Sequence, residues 1–524
     1  MSKKIDINSI PKSELVLVGN DGRMSDKKFE DKPIGYFHDA WRRFCKNRAS
    51  VAAACIIIII VLFAFIAPLV NTRYDASFID PQYKSKAPWS QTLSNIGIAD
   101  GGTTRDFSEI GLIKTVAIGI AAADKNGTGK ITLAEGLANE FQPMIKIGDP
   151  VTYLDPAKNE KKNYNSRVNV YLEVGFAYKD VEQAEYARIL AWQEKTGIQV
   201  LYPLVSDYNE TQYTPDANIW YKVNNYQRKA AVDESGRVIS YSDNMTLVDN
   251  YLRDENGNAR YWAYTGGGNA ETAQYKVRVL YYNYYRYVNG FEPDYLFGTD
   301  SAGYDLCLRL AGGIKLSLLV AICVSLINFV IGAIYGAIEG YYGGACDMVL
   351  ERVSDILSGV PFIVVATLFQ IHLAAKVGAV PSLLFAFVAT GWIGTAARVR
   401  TQFYRFKNQE YVMAARTLGA SDNRIIWKHI FPNSLGTIIT SCALVIPGVI
   451  GSESMLSYLG IVKLGSAEVT SLGTLLSDAN GIWTNYPHLM FFPALVLSLL
   501  MICFNLFGNG LRDAFNPSLR GVED

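Results

Sequence analysis

Apolar positions in this chain gather into long runs separated by polar stretches. The first run, Ala49–Val70, has no charged side chain over 22 residues. As a helix rising about 1.5 Å per residue, it is long enough to cross a hydrocarbon layer about 30 Å thick. Five more apolar runs follow at Ile314–Ile338, Val353–Ala374, Pro381–Ala397, Ser434–Gly451 and Leu489–Phe507, which predicts six transmembrane helices. Between the first and second runs the pattern changes. "RVNVYLEVGFAY" alternates as a strand does, "DVEQAEYARILAWQEKTG" has helix formers and closes on Gly, and "IQVLYPLV" and the Tyr-rich "YKVRVLYYNYYRYV" read as strands. The pattern predicts an α-helical polytopic membrane protein with an α/β or α+β domain inserted at 71–313.

Charge then sets the orientation. The 49 Lys and Arg balance 49 Asp and Glu, so no basic excess points to a nucleic-acid partner. Basic residues cluster in short flanks: Arg42, Arg43, Lys46 and Arg48 before the first run, seven from Arg398 to Lys428 after the fourth, and Arg512 and Arg520 after the sixth. The stretch 452–488 has Lys463 alone. Positive flanks stay inside, so both termini, 1–48 and 511–524, are expected in the cytoplasm and 71–313 outside. The first run exceeds the 7–15 apolar residues, roughly, of a signal peptide, and reads as a retained anchor at 49–70. Phe37, Trp41 and Phe44 recur at helical spacing beside the first basic cluster; this suits either a helix lying on an anionic leaflet or an ordinary basic flank. All seven cysteines lie before position 60 or after 306, so the insertion has no disulfide framework.

The cytoplasmic stretch 398–433 is more than a turn. "EYVMAARTL" is helix-forming and ends at Gly419, and Ser421 or Asp422 caps a second turn with Ile425, Ile426, Trp427 and Ile430 on one face. Two short helices joined at a glycine elbow are expected. With "AARTLGAS" and "HIFPN", this stretch resembles the coupling loop, or E-A-A motif, of membrane subunits from bacterial ABC importers of the oligopeptide, dipeptide and nickel branch. "FGTDSAGYDLCLRLAGGIKLSL", "GYYGGACDMVLERVSDILSGVPF", "ESMLSYLGI" and "FNLFGNGLRDAFNPSLR" resemble the same family in the same order. "WRRFCKNRASVAA" through "FIAPLV" resembles the extra first span of its C-type permeases.

The resemblance implies a type I ABC importer fold over a permease core at 314–510. It also implies a bacterial plasma-membrane location and a non-catalytic subunit that forms half of a translocation path. The implied partners are a second permease, two cytoplasmic ATPases that bind ATP and Mg²⁺, and an extracellular peptide-binding lipoprotein. Coupling to the ATPases would run through Glu410, Met413, Ala414, Ala415, Leu418 and Gly419. Two positions depart from the family pattern: Met413 stands where the motif has glutamate, with Glu410 one turn earlier, and Phe431 replaces a leucine. The insertion at 71–313 is the largest departure, since family members have a short external segment there. Docking of the binding protein or gating of the path is the expected role of the insertion. Cargo other than peptide, such as nickel or another small solute, stays open, as does a membrane-anchored receptor or sensor.

Chemistry-bearing residues add little to this picture. "GTGKIT" lacks the spacing of a phosphate loop, and His38, His372, His429 and His488 are scattered without a nucleophile partner. No catalytic site is expected. Polar residues within spans are costly against lipid, which makes Asn328, Gln370, His372 and Glu453 candidates for the path. "DKNGTGKITLAE" follows calcium-loop grammar: Asp124, Asn126, Thr128, Lys130, Thr132 and Glu135 fall at the odd positions and at the twelfth, with Gly129 at the turn. With only two carboxylates opposed by two lysines, structural Ca²⁺ would bind weakly, at about 10⁻⁴–10⁻³ M. A metal-free Asx-rich turn is the alternative.

Overall fold

The computed structural model describes residues 36–71, 73–128, 131–154, 156, 160–205, 223–224, 227–228, 251–266, 273–464 and 470–515. Two helices open it, α1 (Tyr36–Lys46) and α2 (Arg48–Val70). On α1, Phe44 is buried edge-on against Phe507, while Trp41 points outward. The side chain of Phe37 lies outside the described residues, as do Arg520, Gly129 and Lys130.

The insertion begins with the short α3 (Gln91–Ser94) and then β1 (Gly102–Ser108) and α4 (Glu109–Ala123). A short α5 (Leu133–Leu137) follows, then β2 (Met144–Lys146), β3 (Pro150–Leu154), β4 (Glu160–Asn169) and β5 (Phe176–Glu182). Next come α6 (Gln183–Thr196), β6 (Leu201–Tyr202), the hairpin β7 (Val223–Asn224) and β8 (Gln227–Arg228), β9 (Trp262–Gly266), β10 (Gln274–Leu280) and α7 (Tyr281–Asn289). One sheet has the order β1-β4-β2 with β3 also on β4; a second has β5-β10-β6 with β9 on β10. Every described ladder is antiparallel, which decides for α+β.

Largely apolar, α4 is buried, with Leu112, Val116, Ile118 and Ile120 in the main core of the insertion. Gly197 ends α6 in the left-handed region at φ 72°, as its sequence leads one to expect. The Tyr-rich segment differs from the single strand expected of it. The strand stops at Leu280 and α7 begins, because Tyr281, Tyr282 and Tyr285 bury together on one helical face against Tyr83 and Tyr295.

The membrane core contains α8 (Leu306–Tyr342), α9 (Gly344–Ser358), α10 (Phe362–Val377), α11 (Ala379–Gly391) and α12 (Ile393–Phe406). The remaining helices are α13 (Glu410–Thr417), α14 (Asp422–Arg424), α15 (Phe431–Ala443), α16 (Val445–Tyr458), α17 (Leu472–Ala479) and α18 (Pro487–Phe515). Among the described residues, four helical spans are long and apolar enough to cross a membrane alone: α2, α8, the continuous stretch Ala379–Phe406, and α18. Two bent pairs pass the same test when each is taken as one span, α9 with α10 at 73° and the stretch 422–440 with α16 at 45°, for up to six. The first bend falls at Gly359–Pro361, where proline cannot continue the preceding helix.

Close packing of α8 on α12 rests on Gly332, Gly336 and Gly340, one turn apart. A Cβ on Gly336 would lie 2.2 Å from the Ala396 carbonyl oxygen, and one on Gly340 would lie 2.8 Å from that of Arg400. Small residues at this spacing let helix backbones approach within a membrane.

Candidate coupling surface

The stretch after α12 folds back on the helices that carry it. Between α13 and α14 the chain turns at Gly419, whose φ of 82° belongs to the left-handed region. After α14 a π-helical turn, Ile425–Ile430, leads into α15. Val412, Ile425, Ile426 and Ile430 are buried on Ala333, Ala337 and Tyr341 of α8 and Val399 and Phe403 of α12. The loop is therefore a packed element of the core. Tyr341 adds a polar tie, its hydroxyl donating to Asp422 at 2.5 Å.

The opposite face of the loop is open. Glu410, Met413, Ala414, Leu418 and Gly419 are exposed and Ala415 is half-buried. Leu418 is 88% exposed and Met413 51%, so two apolar side chains stand out beside a left-handed glycine. Burying such side chains against a partner is worth about 1.5–3 kcal/mol each. The six residues expected to couple thus share one short stretch, with Met413 an exposed apolar side chain among them.

Sequence reading missed the clamp behind this surface. Arg400 on α12 donates from Nε and Nη2 to both oxygens of Asp347, at 2.6 and 2.8 Å, and from Nη1 and Nη2 to Glu351 at 2.6 and 3.0 Å. Glu339 of α8 lies 3.6 Å from Nε, Tyr404 donates to Asp347, and the Lys407 ammonium donates to the Gly340 carbonyl. One guanidinium therefore joins α8, α9 and α12 next to the loop. The carboxylates at 347 and 351, one turn apart on α9, were a signal for such a partner.

The four polar span residues sit at separate places. Asn328 is buried beside Gly391, where an added Cβ would come 2.3 Å from its amide nitrogen. Gln370 donates to the Ala379 carbonyl at 3.0 Å and holds the α10–α11 turn. His372 is exposed on α10. Glu453 is fully buried and accepts from Ser317 at 2.9 Å, Ser457 at 3.1 Å and Ser454 at 3.4 Å, where α8, α16 and α17 meet.

The calcium expectation is not supported, for a physical reason. Asp124 accepts from the Thr128 amide and hydroxyl and from the Tyr251 hydroxyl. Glu135 turns back to form a capping box with Thr132, whose hydrogen bonds hold its carboxyl below the usual range. Arg253 donates to the Gly127 carbonyl, placing a positive charge against the loop. Both carboxylates are thus engaged, Asn126 and Thr128 stand in an Asx-type turn, and Lys130 lies outside the described residues. No cluster of three or more His, Cys, Asp or Glu that could hold a metal occurs among the described residues.

Known proteins agree with the order of these elements. Residues 328–521 match the family model described as the binding-protein-dependent transport system inner membrane component. Residues 35–88 match the N-terminal TM domain of oligopeptide transport permease C. The chain is similar to the oligopeptide transport system permease protein OppC of Bacillus subtilis, at 39% identity over 43% of this chain and 73% of that one. The dipeptide transport system permease protein DppC of the same organism is 40% identical over 43% and 70%. OppC of Haemophilus influenzae is 45% identical over 44% and 72%. Residues 89–327, which contain most of the insertion, fall outside both family models.

Proposed function

Because the chain belongs to the oligopeptide and dipeptide transport permeases of the C type, we propose that it couples ATP hydrolysis in partner subunits to peptide import through the exposed face of its 398–433 loop. The chain itself is a non-catalytic permease subunit of a peptide ABC importer with a type I importer fold. One observation carries the coupling reading: an apolar, exposed tip at Met413 and Leu418 stands on a loop whose other face is packed on α8 and α12. A push on the tip is a push on those helices, because buried contacts cannot slide without opening voids.

In this reading two ATPases hold ATP and Mg²⁺ and grip Glu410, Met413, Ala414, Ala415, Leu418 and Gly419. A second permease completes the path, and an extracellular lipoprotein delivers peptide. Residues 1–48 and 511–524 lie in the cytoplasm of a bacterial cell, 49–70 and 314–510 in or at the membrane, and 71–313 outside. Of the four polar span residues, His372 has the open side chain and is our path candidate. Asn328, Gln370 and Glu453 hold helices in place.

Leu418→Asp tests the coupling reading. Mass spectrometry of the complex extracted gently from native cells is expected to recover a second permease and ATPases with wild type and to lose the ATPases with the variant. Retention of the ATPases by Leu418→Asp would refute the assignment of this face.

A further inference from the structure

Where the insertion meets the permease core there is a cavity of about 690 Å³, within the size range of ligand pockets, about 300–1,000 Å³. One wall is the β1 segment Gly102–Arg105; the other is 484–488, the end of the connection and the first residues of α18, with Ser85 and Ala87 between them. Four consecutive residues of β1 line it. A cavity over the face of a sheet is lined by every second residue of a strand, so this one runs along the edge of β1.

That edge is open. The sheet order β1-β4-β2 puts β1 outermost, and no strand pairs with its far side among the described residues. Val170 donates its backbone N–H to the Gly101 carbonyl at 3.0 Å, in register with Gly102 opposite Asn169. Hydrogen-bonded pairs alternate along an antiparallel ladder. Thr103, Arg105 and Phe107 therefore bond to β4, while Thr104 and Asp106 turn their N–H and C=O groups outward. Thr104, Arg105 and Asp106 are exposed, between half-buried Thr103 and buried Phe107.

Charge gives the cleft a direction. Arg105 pairs with Glu173 and stacks over Phe107. Close by, burial and the charge of Arg105 push the Lys86 ammonium down to about 8. Two cations crowded at one end of an open strand edge suit an arriving carboxylate. Backbone pairing along the edge reads main chain and ignores side chains, which fits a carrier of varied peptides.

We propose that this cleft is a peptide subsite, in which an extended peptide adds to the open edge of β1 with its C-terminal carboxylate at Arg105. The inference rests on the peptide-importer reading. The test uses the full complex in lipid nanodiscs, with benzoylphenylalanine in place of Tyr486 so that light-driven labelling reports the cleft alone. The probe is fluorescein-labelled pentaalanine with a free carboxylate. Three changes are each expected to weaken labelling about tenfold or more: amidation of the carboxylate, N-methylation of alternate peptide nitrogens, and Thr104→Pro, which deletes the outward N–H. Thr104→Val, which keeps the backbone, is expected to label as wild type. With Arg105→Gln, acid and amide probes are expected to label alike. N-methylation and amidation act on the wild-type protein, so misfolding of a variant does not enter.

Equal labelling by the free, amidated and N-methylated probes, in a complex that imports peptide on ATP addition, would overturn the subsite and leave the importer reading intact. Absence of ATP-driven peptide uptake by the wild-type complex, supplied with its binding protein, would overturn both.

Discussion

Replacing Arg400 with glutamine tests whether the core behind the loop is a rigid lever. The substitution removes the guanidinium that Asp347, Glu351 and Glu339 share. Breaking a buried ion pair by removing one partner costs about 3–5 kcal/mol, whereas an exposed pair is worth about 0–1. The Glu351 side chain is 44% exposed and its share is small; that of Glu339 is 4% exposed and its charge is left in a desolvated place. Between these limits the loss is about 2–4 kcal/mol, part of it repulsion among the three carboxylates. The cost falls on the junction of α8, α9 and α12, so the loop keeps its docking face and loses its firm seat. In nanodiscs carrying the full complex, Arg400→Gln is expected to lower the melting temperature and to reduce peptide uptake per ATP hydrolysed. Arg400→Lys restores charge but not the two-pronged geometry that serves two carboxylates, and is expected to recover only part of each loss. If Arg400→Gln leaves both the melting temperature and the uptake-to-ATP ratio at wild-type values, the clamp does not transmit force and the lever argument fails.

Three other outcomes follow from particular contacts. Gly336→Ala brings a Cβ to 2.2 Å from the Ala396 carbonyl, so α8 and α12 must part; about 1–3 kcal/mol of destabilisation is expected on thermal melting, against near-neutrality for Gly394→Ala, where no atom lies within 4 Å. Glu453→Ala strands the hydroxyls of Ser317, Ser454 and Ser457 and is expected to cost about 2–4 kcal/mol, while Glu453→Gln keeps hydrogen-bonding capacity and costs less; equal damage by both, read by melting in detergent, would mean that the carboxylate itself is needed. Asp305 caps α8 and accepts from Asn71 at 2.9 Å, and burial raises its carboxyl to about 7. A folded-state value above the unfolded one gives stability that is complete below about pH 4 and is lost as pH rises through about 7, so wild type is expected to melt lower at pH 8 than at pH 5, with a flatter profile in Asp305→Asn.

Much of the membrane core was legible in the sequence because the bilayer imposes its pattern of long, charge-poor runs with basic residues in short flanks, and glycine marks where a helix must end, at Gly197 in the insertion and Gly419 in the loop. What escaped depended on partners distant in the chain. The calcium grammar of 124–135 counts oxygens within one loop, but the donors that engage it include Tyr251 and Arg253, more than a hundred residues later. The Tyr-rich run has strand propensity throughout, yet after Leu280 a helical face matches the aromatic cavity formed by Tyr83 and Tyr295. Gly332, Gly336 and Gly340 were visible as a four-residue repeat in an apolar run; only the structure supplies the α12 backbone that makes the repeat necessary.

The length of α8 joins the two ends of the molecule. Its 37 residues rise about 55 Å, well beyond a hydrocarbon core of about 30 Å. At its N-terminal end, Asp305 holds Asn71, and Arg309 pairs with Asp300 of the insertion at 3.3 Å. At its C-terminal end, Tyr341 holds Asp422 in the loop. A continuous helix does not absorb a twist between its ends as a loop would, and no proline interrupts this one. A tilt of the loop against α8 is therefore felt at Asp300 and Thr299, where the insertion is tied to the core, and Thr299 in turn holds the Lys86 backbone at the rim of the cleft beside β1. On the coupling reading proposed above, the insertion is placed to respond to ATPase docking at the loop through one helix, without a separate relay.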